Sequence, residues 1–166
     1  MSKQLILFRH GKAEEKQTRQ ADYDRKLTEK GILEARNAAL WLKVNYPQID
    51  KIWASSAVRT AQTAQIFASI FLKSNMVELI PEIYEENDVQ LLERIRCADN
   101  KIHALAIVGH NPFLSLLAQY LASDNSIQLQ TASVAILRFY VAQWQEVSAS
   151  TLEFYKVYHP QSSIPS

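Results

Sequence analysis

The chain has 166 residues, which is enough for one domain with one sizeable core and too few for two ordinary domains. Hydrophobic residues make up 48% of the sequence and charged residues 21%, a balance typical of a folded protein and not of a disordered one. Lys and Arg (18) against Asp and Glu (17) leave a net charge of +1. No overall field therefore draws the chain to nucleic acid or to an anionic membrane, and any anion site must be local.

A single cysteine, Cys97, excludes an internal disulfide and favours a reducing compartment. The apolar run near the N-terminus, residues 5–8, is far too short for a signal peptide or a membrane span, and no other stretch reaches about 18 apolar residues. We therefore expect a cytoplasmic protein with no membrane partner and no nucleic-acid partner. Because no heptad repeat or other association motif occurs, we expect a monomer.

Apolar runs alternate with helical periodicities along the chain. Residues 4–8 have the continuous apolar pattern of a strand buried on both faces, and the polar residues 12–26 predict a loop. The elements expected after this loop are, in order, a helix capped by Thr28 and stopped by Pro47, a strand over 51–54, a helix capped by Ser55 or Ser56, a strand over 77–80, a helix over 87–98, a strand over 104–108, a helix over 113–121, and two β-rich runs over 133–141 and 151–158.

Strands that alternate with helices predict an α/β domain with a largely parallel sheet. This domain is expected to span residues 1–159, and residues 160–166 are expected to form a loose tail. Helical spacing also predicts which side chains face inward, among them Ile32 on the first helix and Val89 on the third.

Three polar segments each follow a predicted strand directly: residues 9–11, residues 55–59 and residues 109–111. In open α/β sheets, ligands bind beyond the carboxyl ends of the strands. If the strands are parallel neighbours, two histidines, two arginines and a helix N-terminus meet at one edge of the sheet. Glycine points to the same place, since the chain has only three and two of them stand beside a histidine. This placement suggests backbone that must approach another group closely.

Two arginines, two histidines and a helix N-terminus suit a tetrahedral dianion. The planar fork of arginine matches two phosphate oxygens, and helix N-termini offer unpaired N–H groups. A neutral histidine can attack phosphorus through one ring nitrogen while its neighbours neutralise the charge on the equatorial oxygens. The other ring nitrogen should donate to a backbone carbonyl, which fixes the tautomer. A carboxylic acid usually protonates a leaving oxygen.

The sequence over residues 8–13, Phe-Arg-His-Gly-Lys-Ala, resembles the RHG signature of the histidine phosphatase superfamily, which contains the phosphoglycerate mutases. Residues 55–64 resemble its S-S-x-x-R-x-x-Q-T-A motif, and residues 108–112 resemble its third motif. Residues 22–31 are similar to the D-x-x-R-x-L-T-x-x-G stretch of the SixA-type phosphohistidine phosphatases. The resemblance covers residues 3 to 158. It implies a single-domain, three-layer α/β/α sandwich of the phosphoglycerate mutase type with a largely parallel central sheet.

Carried over by motif, the resemblance implies that His10 is the nucleophile. The core phosphate ligands would then be Arg9, Arg59 and His110. The resemblance also implies that Arg25 is an added phosphate-pocket residue of the SixA-type branch, and that Gly11 and Asn111 contribute to substrate binding.

The general acid is less determined than the phosphate ligands. In larger members of the superfamily it is a glutamate in an L-x-E segment after the third strand, and residues 83–85 fit this register. This makes Glu85 the candidate, with Glu82 and Glu86 as competitors. Some SixA-type proteins lack this glutamate, which is chemically sensible because the ring of a phosphohistidine leaves with less help than an alkoxide.

The resemblance implies a signal-transduction phosphatase that acts on phosphohistidine in a protein, such as a histidine phosphotransfer domain or a carrier protein. Only 25 positions separate Arg59 from Tyr84, which leaves no room for the large cap that encloses small substrates in longer members. One alternative is a phosphatase for a small phosphate ester, which Glu85 acting as a true acid would favour. Another is a non-catalytic phosphate-binding domain on the same fold. No metal-ligand spacing occurs, and we expect no metal and no cofactor.

Overall fold

The structure is a computed structural model that describes residues 1–160 of the chain. Within these residues, four strands alternate with four α-helices before two final strands complete the domain. In chain order the elements are β1 (Lys3–Arg9), α1 (Glu29–Asn45), β2 (Lys51–Ala54), α2 (Val58–Ile70), β3 (Val77–Leu79), α3 (Asp88–Arg96), β4 (Ala104–Gly109), α4 (Phe113–Ala122), β5 (Val134–Phe139) and β6 (Leu152–Tyr158). Short 3₁₀ turns at Asp22–Asp24 and Pro81–Tyr84 flank the site described below.

The strands form one sheet in the order β3-β2-β4-β1-β5-β6. The four strands β3, β2, β4 and β1 are parallel to one another. At one side of the sheet, β5 pairs antiparallel with β1, and β6 pairs antiparallel with β5. Arg9 at the end of β1 pairs in register with Gly109 at the end of β4, and Ala54 at the end of β2 pairs with Val108. The polar segments after these strands therefore leave the sheet side by side, as the sequence predicted.

Helices cover both faces of the sheet, which makes the domain a three-layer α/β/α sandwich. Leu5 and Leu7 of β1 pack into a core shared with α3 and α4, whereas Ile6 and Phe8 pack into a core shared with α1 and α2. All four side chains are fully buried, which explains the continuous apolar run of this strand. The predicted fold, a largely parallel sheet in a phosphoglycerate mutase-like sandwich, is confirmed.

The helix caps agree with the sequence at one helix and differ at another. Thr28 caps α1, since its hydroxyl accepts a hydrogen bond from the Gly31 amide at 3.0 Å. The prediction that Ser55 or Ser56 caps α2 is wrong, because the N-cap position is Ala57 and has no side-chain hydrogen bond. The Ser55 hydroxyl accepts from the Ala57 amide at 3.3 Å and also contacts a histidine of the site.

Two of the predicted inward positions are wrong. Ile32 is 43% exposed and Val89 is 65% exposed. On α1 the buried face includes Gly31 and Ala35 and leaves Ile32 outside. The reason is that the first turn of this helix lies against the chain that leaves β1. On α3 the neighbouring Leu91 takes the inner position in place of Val89.

The segment between β1 and α1 is held against both helices of one layer. The Lys12 carbonyl accepts hydrogen bonds from the Thr28 amide (2.9 Å) and the Thr28 hydroxyl (3.2 Å). The Leu27 amide donates to the side chain of Gln62 on α2 at 2.8 Å. These contacts fix both ends of the loop, so that its middle, with the turn Asp22–Asp24, lies at the sheet edge where β1 ends.

None of the helices in the described part of the chain is long and apolar enough to cross a membrane. Residues 161–166, which make up most of the predicted C-terminal tail, lie outside the described residues.

Replacement of Gly11 by alanine should destabilise the fold, whereas replacement of Gly109 should not. A Cβ atom at Gly11 would overlap the Gly31 carbonyl, and both groups are backbone, so neither can yield cheaply. A Cβ atom at Gly109 would lie 3.5 Å from a methyl group of Leu114, an ordinary contact. We expect Gly11→Ala to lower the free energy of unfolding by about 2 kcal/mol or more and Gly109→Ala to change it by less than about 1 kcal/mol. Urea denaturation of both variants tests this, and equal effects would contradict the close-approach explanation.

Candidate active site

Two histidines and two arginines meet where β1 and β4 end. His10 follows β1, His110 follows β4, and their rings lie 5.5 Å apart between centroids. Arg59 comes from the first turn of α2, and its Nη2 lies 3.3 Å from Nδ1 of His110. Arg9 is the last residue of β1. The structure thus brings together the four residues that the sequence assigned to the core of a phosphate site.

His10 is neutral, and its tautomer is fixed. Its side chain is 7% exposed, and Nδ1 lies 2.6 Å from the carbonyl oxygen of Gly11. Because a carbonyl only accepts hydrogen bonds, Nδ1 carries the proton and Nε2 keeps a free lone pair. Burial lowers the pKa of His10 to about 3, and the positive charges of Arg59 and Arg9 act in the same direction, against the hydrogen bond to Gly11. His10 therefore presents an unprotonated Nε2 at neutral pH, as a nucleophile must.

His110 is neutral with the opposite tautomer. A guanidinium only donates, so Nδ1 of His110 accepts from Arg59 and Nε2 carries the proton. That N–H donates to the hydroxyl of Ser55 at 2.8 Å. Burial, followed by the charge of Arg59, lowers the pKa of His110 to about 4. Ser55 thereby orients a site histidine from the turn between β2 and α2.

Both arginines of the core have a buried nitrogen without a partner. Arg9 donates from Nη1 to the Leu129 carbonyl (3.0 Å), and Arg59 donates from Nη1 to the Asp22 carbonyl (2.8 Å). Their Nε atoms are the only buried side-chain nitrogen or oxygen atoms in residues 1–160 that lack a hydrogen-bond partner. Leaving a buried charged donor unsatisfied costs free energy. A tetrahedral oxyanion bound by both guanidinium groups would supply the missing acceptors.

Asp22 joins the two arginines nearest to the mouth of the site. Its Oδ1 accepts from Nε of Arg25 (2.9 Å) and forms an ion pair with Nη2 of Arg25 (2.8 Å), and its Oδ2 accepts from Nη2 of Arg59 (2.9 Å) and from the Tyr84 hydroxyl (2.7 Å). The hydrogen bond from Tyr84, with those from Arg59 and Arg25, holds the pKa of Asp22 well below its usual range. Asp22 is therefore an anion at any physiological pH, and Arg25 reaches the site through it.

Two tyrosines form a wall beside this carboxylate. The Tyr84 ring lies edge-on to the His110 ring at 5.4 Å between centroids and edge-on to the Tyr23 ring at 5.2 Å. The Tyr23 hydroxyl donates to the hydroxyl of Ser56 at 2.5 Å. The wall is therefore tied to the loop before α1, to the start of α2 and to the turn after β3.

For three of the predicted site residues, no contact within residues 1–160 shows the predicted role. Glu85 is exposed, and no hydrogen bond or ion pair of its side chain occurs among residues 1–160. The Asn111 amide donates to the Leu129 carbonyl (2.7 Å), and its oxygen accepts from Ser115 of α4. The amide of Gly11 donates to the Thr63 hydroxyl at 3.2 Å. The roles of these residues in acid catalysis or substrate binding stay predictions.

The other acidic candidates form no hydrogen bond or ion pair with the histidines among residues 1–160. Glu82 is exposed, and Glu86 forms a bidentate ion pair with Arg94 of α3. The residue of this segment that reaches the site is Tyr84.

Asp22 and Tyr84 are site residues that sequence reasoning did not single out, and Ser55 entered it only as a helix cap and as part of the polar segment 55–59. Asp22 and Ser55 each open one of the motifs quoted above, so a signal for both existed in the sequence. Tyr84 belongs to no motif, and its place follows from the 3₁₀ turn Pro81–Tyr84 after β3.

Residues 5–87 match the family model of the histidine phosphatase superfamily (branch 1). The chain belongs to the histidine phosphatase superfamily. It is 31% identical over 137 residues to an uncharacterised protein of Mycobacterium tuberculosis, an alignment that covers 76% of this chain and 84% of the relative. It is 26% identical over 132 residues to the phosphohistidine phosphatase SixA of Escherichia coli, which covers 78% of this chain and 81% of that protein.

Solved structures of the superfamily share the fold. A SixA-type protein from Nakamurella multipartitia superposes with a TM-score of 0.81 and 24% identity, covering 96% of this chain and 97% of the other. The protein histidine phosphatase SixA complexed with tungstate superposes with a TM-score of 0.74 and 21% identity, covering 92% and 95%. A phosphoglycerate mutase from Bacillus anthracis gives 0.62 at 16% identity, covering 89% and 96%. The family and the SixA-like neighbours support a phosphatase activity for this chain.

The two buried histidines should make the fold sensitive to mild acid. Between about pH 6.5 and about pH 4 the unfolded chain binds protons at both histidines, whereas the folded chain keeps them neutral. Stability is therefore complete above about pH 6.5 and falls as the pH decreases through this window, by up to about 1.4 kcal/mol per pH unit for each histidine. Urea denaturation at a series of pH values measures the slope.

Carboxylates also titrate at the acid end of this window, so variants are needed to isolate the histidines. His10→Asn and His110→Asn should each flatten the dependence between about pH 6.5 and about pH 4. The matched control is His103→Asn, at an exposed position before β4, which should leave the slope unchanged. A slope that survives both site substitutions would contradict the assignment of neutral buried histidines.

Proposed function

We propose that this protein hydrolyses phosphohistidine on other proteins through a covalent phosphohistidine intermediate on His10. The observation that carries the proposal is a buried neutral histidine whose Nε2 is free, beside two arginines whose buried Nε atoms have no partner. This arrangement combines an unprotonated nucleophile with unsatisfied donors for the equatorial oxygens of a phosphoryl group.

The first chemical step transfers the phosphoryl group to the enzyme. Nε2 of His10 attacks phosphorus, a P–N bond to His10 forms, and the P–N bond to the substrate ring breaks with its electron pair going to the substrate nitrogen. Arg9 and Arg59 neutralise the charge that develops on the equatorial oxygens. The hydrogen bond from Nδ1 to the Gly11 carbonyl keeps the His10 ring oriented during the attack.

The second step regenerates the enzyme. Water attacks phosphorus, the P–N bond to His10 breaks, and inorganic phosphate forms while the water proton passes to solvent. Because Nδ1 of His10 already carries a proton held by the Gly11 carbonyl, His10 leaves as a neutral imidazole. No external acid is required for this step.

The openness of the site supports a protein as the substrate. Between Arg59 and Tyr84 the chain contains only the rest of α2, a short turn and β3, with no added segment above the pocket. The Asp22 side chain beside Arg59 is 40% exposed. A histidine side chain on the surface of another protein can therefore reach the pocket, whereas a mutase has to enclose its phosphorylated intermediate against water.

Two further points favour phosphohistidine over a small phosphate ester. The curated relative from Escherichia coli is named a phosphohistidine phosphatase. An alkoxide leaving group normally needs a positioned acid, and the candidate Glu85 is exposed. The expected partner is accordingly a histidine-phosphorylated phosphotransfer domain or carrier protein.

His10→Asn should abolish phosphate release from a histidine-phosphorylated phosphotransfer protein. We expect kcat/KM to fall by about 10³-fold or more, because the variant retains the arginines and loses the attacking nitrogen. The measurement is release of radiolabelled phosphate, together with rapid acid-free trapping of labelled enzyme. His103→Asn, an exposed substitution of the same type, is the control and should retain full activity and labelling.

Three results would contradict the proposal. Equal turnover by the wild type and His10→Asn would exclude His10 as the nucleophile. Efficient turnover of one small phosphate ester with only weak turnover of phosphohistidine would favour a metabolite phosphatase. Binding of phosphate without turnover of any substrate would favour a phosphate-binding domain.

A further inference from the structure

The carboxylate of Asp22 lies beside Arg59, at the mouth of a pocket whose arginines suit an anionic ligand. Nη2 of Arg59 lies 2.9 Å from Oδ2 of Asp22 and 3.3 Å from Nδ1 of His110, so one guanidinium nitrogen contacts both the carboxylate and a site histidine. A fixed carboxylate this close to a bound phosphoryl dianion weakens its binding through like-charge repulsion. A pocket that only had to bind phosphate would be better served by a neutral side chain at position 22.

A carboxylate at this position is favourable if the substrate carries an N–H donor next to its phosphoryl group. The ring of phosphohistidine has one when the ring nitrogen that is not phosphorylated has taken up a proton from solvent. A phosphate ester of an alcohol has no such donor. We propose that Asp22 accepts a hydrogen bond from this ring N–H of the substrate and so makes the site selective for phosphohistidine over phosphate esters. The inference rests on the proposed function and names the group of the substrate that is recognised.

The chemistry of the first step explains how Asp22 accelerates the reaction. When the P–N bond of the substrate breaks, the electron pair goes to the ring nitrogen that held phosphorus. If the other ring nitrogen carries a proton, the ring leaves as neutral imidazole and no proton moves during the step. A carboxylate that accepts from this N–H stabilises the protonated ring and with it the good leaving group.

The enzyme treats its own histidine in the same way. The N–H of His10 at Nδ1 donates to the carbonyl oxygen of Gly11, opposite the nitrogen that receives phosphorus. In the proposed complex both imidazoles exchange the phosphoryl group through one nitrogen, and each has its other N–H bound by an oxygen acceptor, Gly11 or Asp22. Such a transfer is nearly symmetric, so neither direction requires a general acid.

The surroundings of Asp22 fit the leaving ring. The side chain is 40% exposed and faces the open side of the site. The rings of Tyr23 and Tyr84 lie next to it and offer apolar surface to an imidazole, and the Tyr84 hydroxyl orients the carboxylate at 2.7 Å.

Binding of the phosphoryl group also frees Asp22 for its role. A carboxylate has about four acceptor positions, and three of them accept hydrogen bonds from Arg25, Arg59 and Tyr84, with Nη2 of Arg25 as a further ionic contact 2.8 Å from Oδ1. A phosphoryl oxygen that takes over a guanidinium N–H from Asp22 leaves one acceptor position empty. The ring N–H of the same substrate molecule then fills it.

The test compares Asp22→Asn with the wild type on two substrates, phosphoimidazole and para-nitrophenyl phosphate. The first leaves as an imidazole with an N–H, and the second leaves as a phenolate that a carboxylate repels. We expect Asp22→Asn to lower kcat/KM for phosphoimidazole by about 10- to 100-fold, the range given by a hydrogen bond to a charged group in the transition state. Turnover of para-nitrophenyl phosphate should be unchanged or faster, and inhibition by inorganic phosphate should be unchanged or stronger.

Two further variants complete the experiment. Asp24→Asn makes the same charge change on the same turn at an exposed position and should leave all three measurements unaltered. Asp22→Ala guards against a misplaced amide at position 22 and should show the same opposite trends on the two substrates. Thermal melting of each variant establishes that it is folded.

The outcomes separate this inference from the function on which it rests. Equal losses on both substrates, with weaker inhibition by inorganic phosphate, would overturn the inference and make Asp22 a residue that only positions Arg25 and Arg59. Such a result leaves the phosphohistidine phosphatase intact. If the wild type hydrolyses para-nitrophenyl phosphate but neither phosphoimidazole nor a histidine-phosphorylated protein, the proposed function and the inference both fail.

Discussion

The hydrogen bond between Nδ1 of His10 and the carbonyl of Gly11 is the contact on which the rest of the site depends, because it decides which ring nitrogen is free to react. The peptide that supplies this carbonyl is held on several sides. Its Gly11 amide donates to Thr63 of α2, and its Cα packs so closely on Gly31 of α1 that no side chain fits between them. The tautomer of one histidine is therefore maintained by two helices of the same layer.

Charge at the site is balanced locally, although the chain as a whole is nearly neutral. Arg59 is 5% exposed, and a buried guanidinium without an anion is costly. Asp22 supplies part of the negative charge that balances Arg59, whereas the Nε atoms of Arg9 and Arg59 have no hydrogen-bond partner in residues 1–160. The arginines are thus held in place by contacts within the protein, and their Nε atoms can still donate hydrogen bonds to a ligand. Preorganisation of this kind places the arginines where charge develops in the transition state.

The core of the site could be predicted from the sequence because its position follows from topology. Arg9, His10 and His110 directly follow buried strands, and parallel neighbours bring the ends of such strands together. Tyr84 could not be found in this way, because its position depends on a 3₁₀ turn. No periodicity in the sequence reveals where this turn starts or how long it is. The contact of Ser55 with His110 escaped prediction for a related reason. A serine before a helix has a local acceptor role, and only the tertiary structure shows that His110 lies within reach of its hydroxyl.

The turn after β3 also bears on the kind of leaving group that the site suits. The last residue of this 3₁₀ turn, Tyr84, donates a hydrogen bond to Asp22, whereas the side chain of Glu85 forms no hydrogen bond or ion pair within residues 1–160. The side chain that reaches the mouth is then a phenol bound to an ionised carboxylate, and the Asp22 hydrogen bond raises the pKa of Tyr84, which makes it a poorer proton donor. A site arranged in this way suits a leaving group that is already protonated on a second atom. Among biological phosphoryl donors an imidazole ring meets that condition, and a sugar or serine hydroxyl does not.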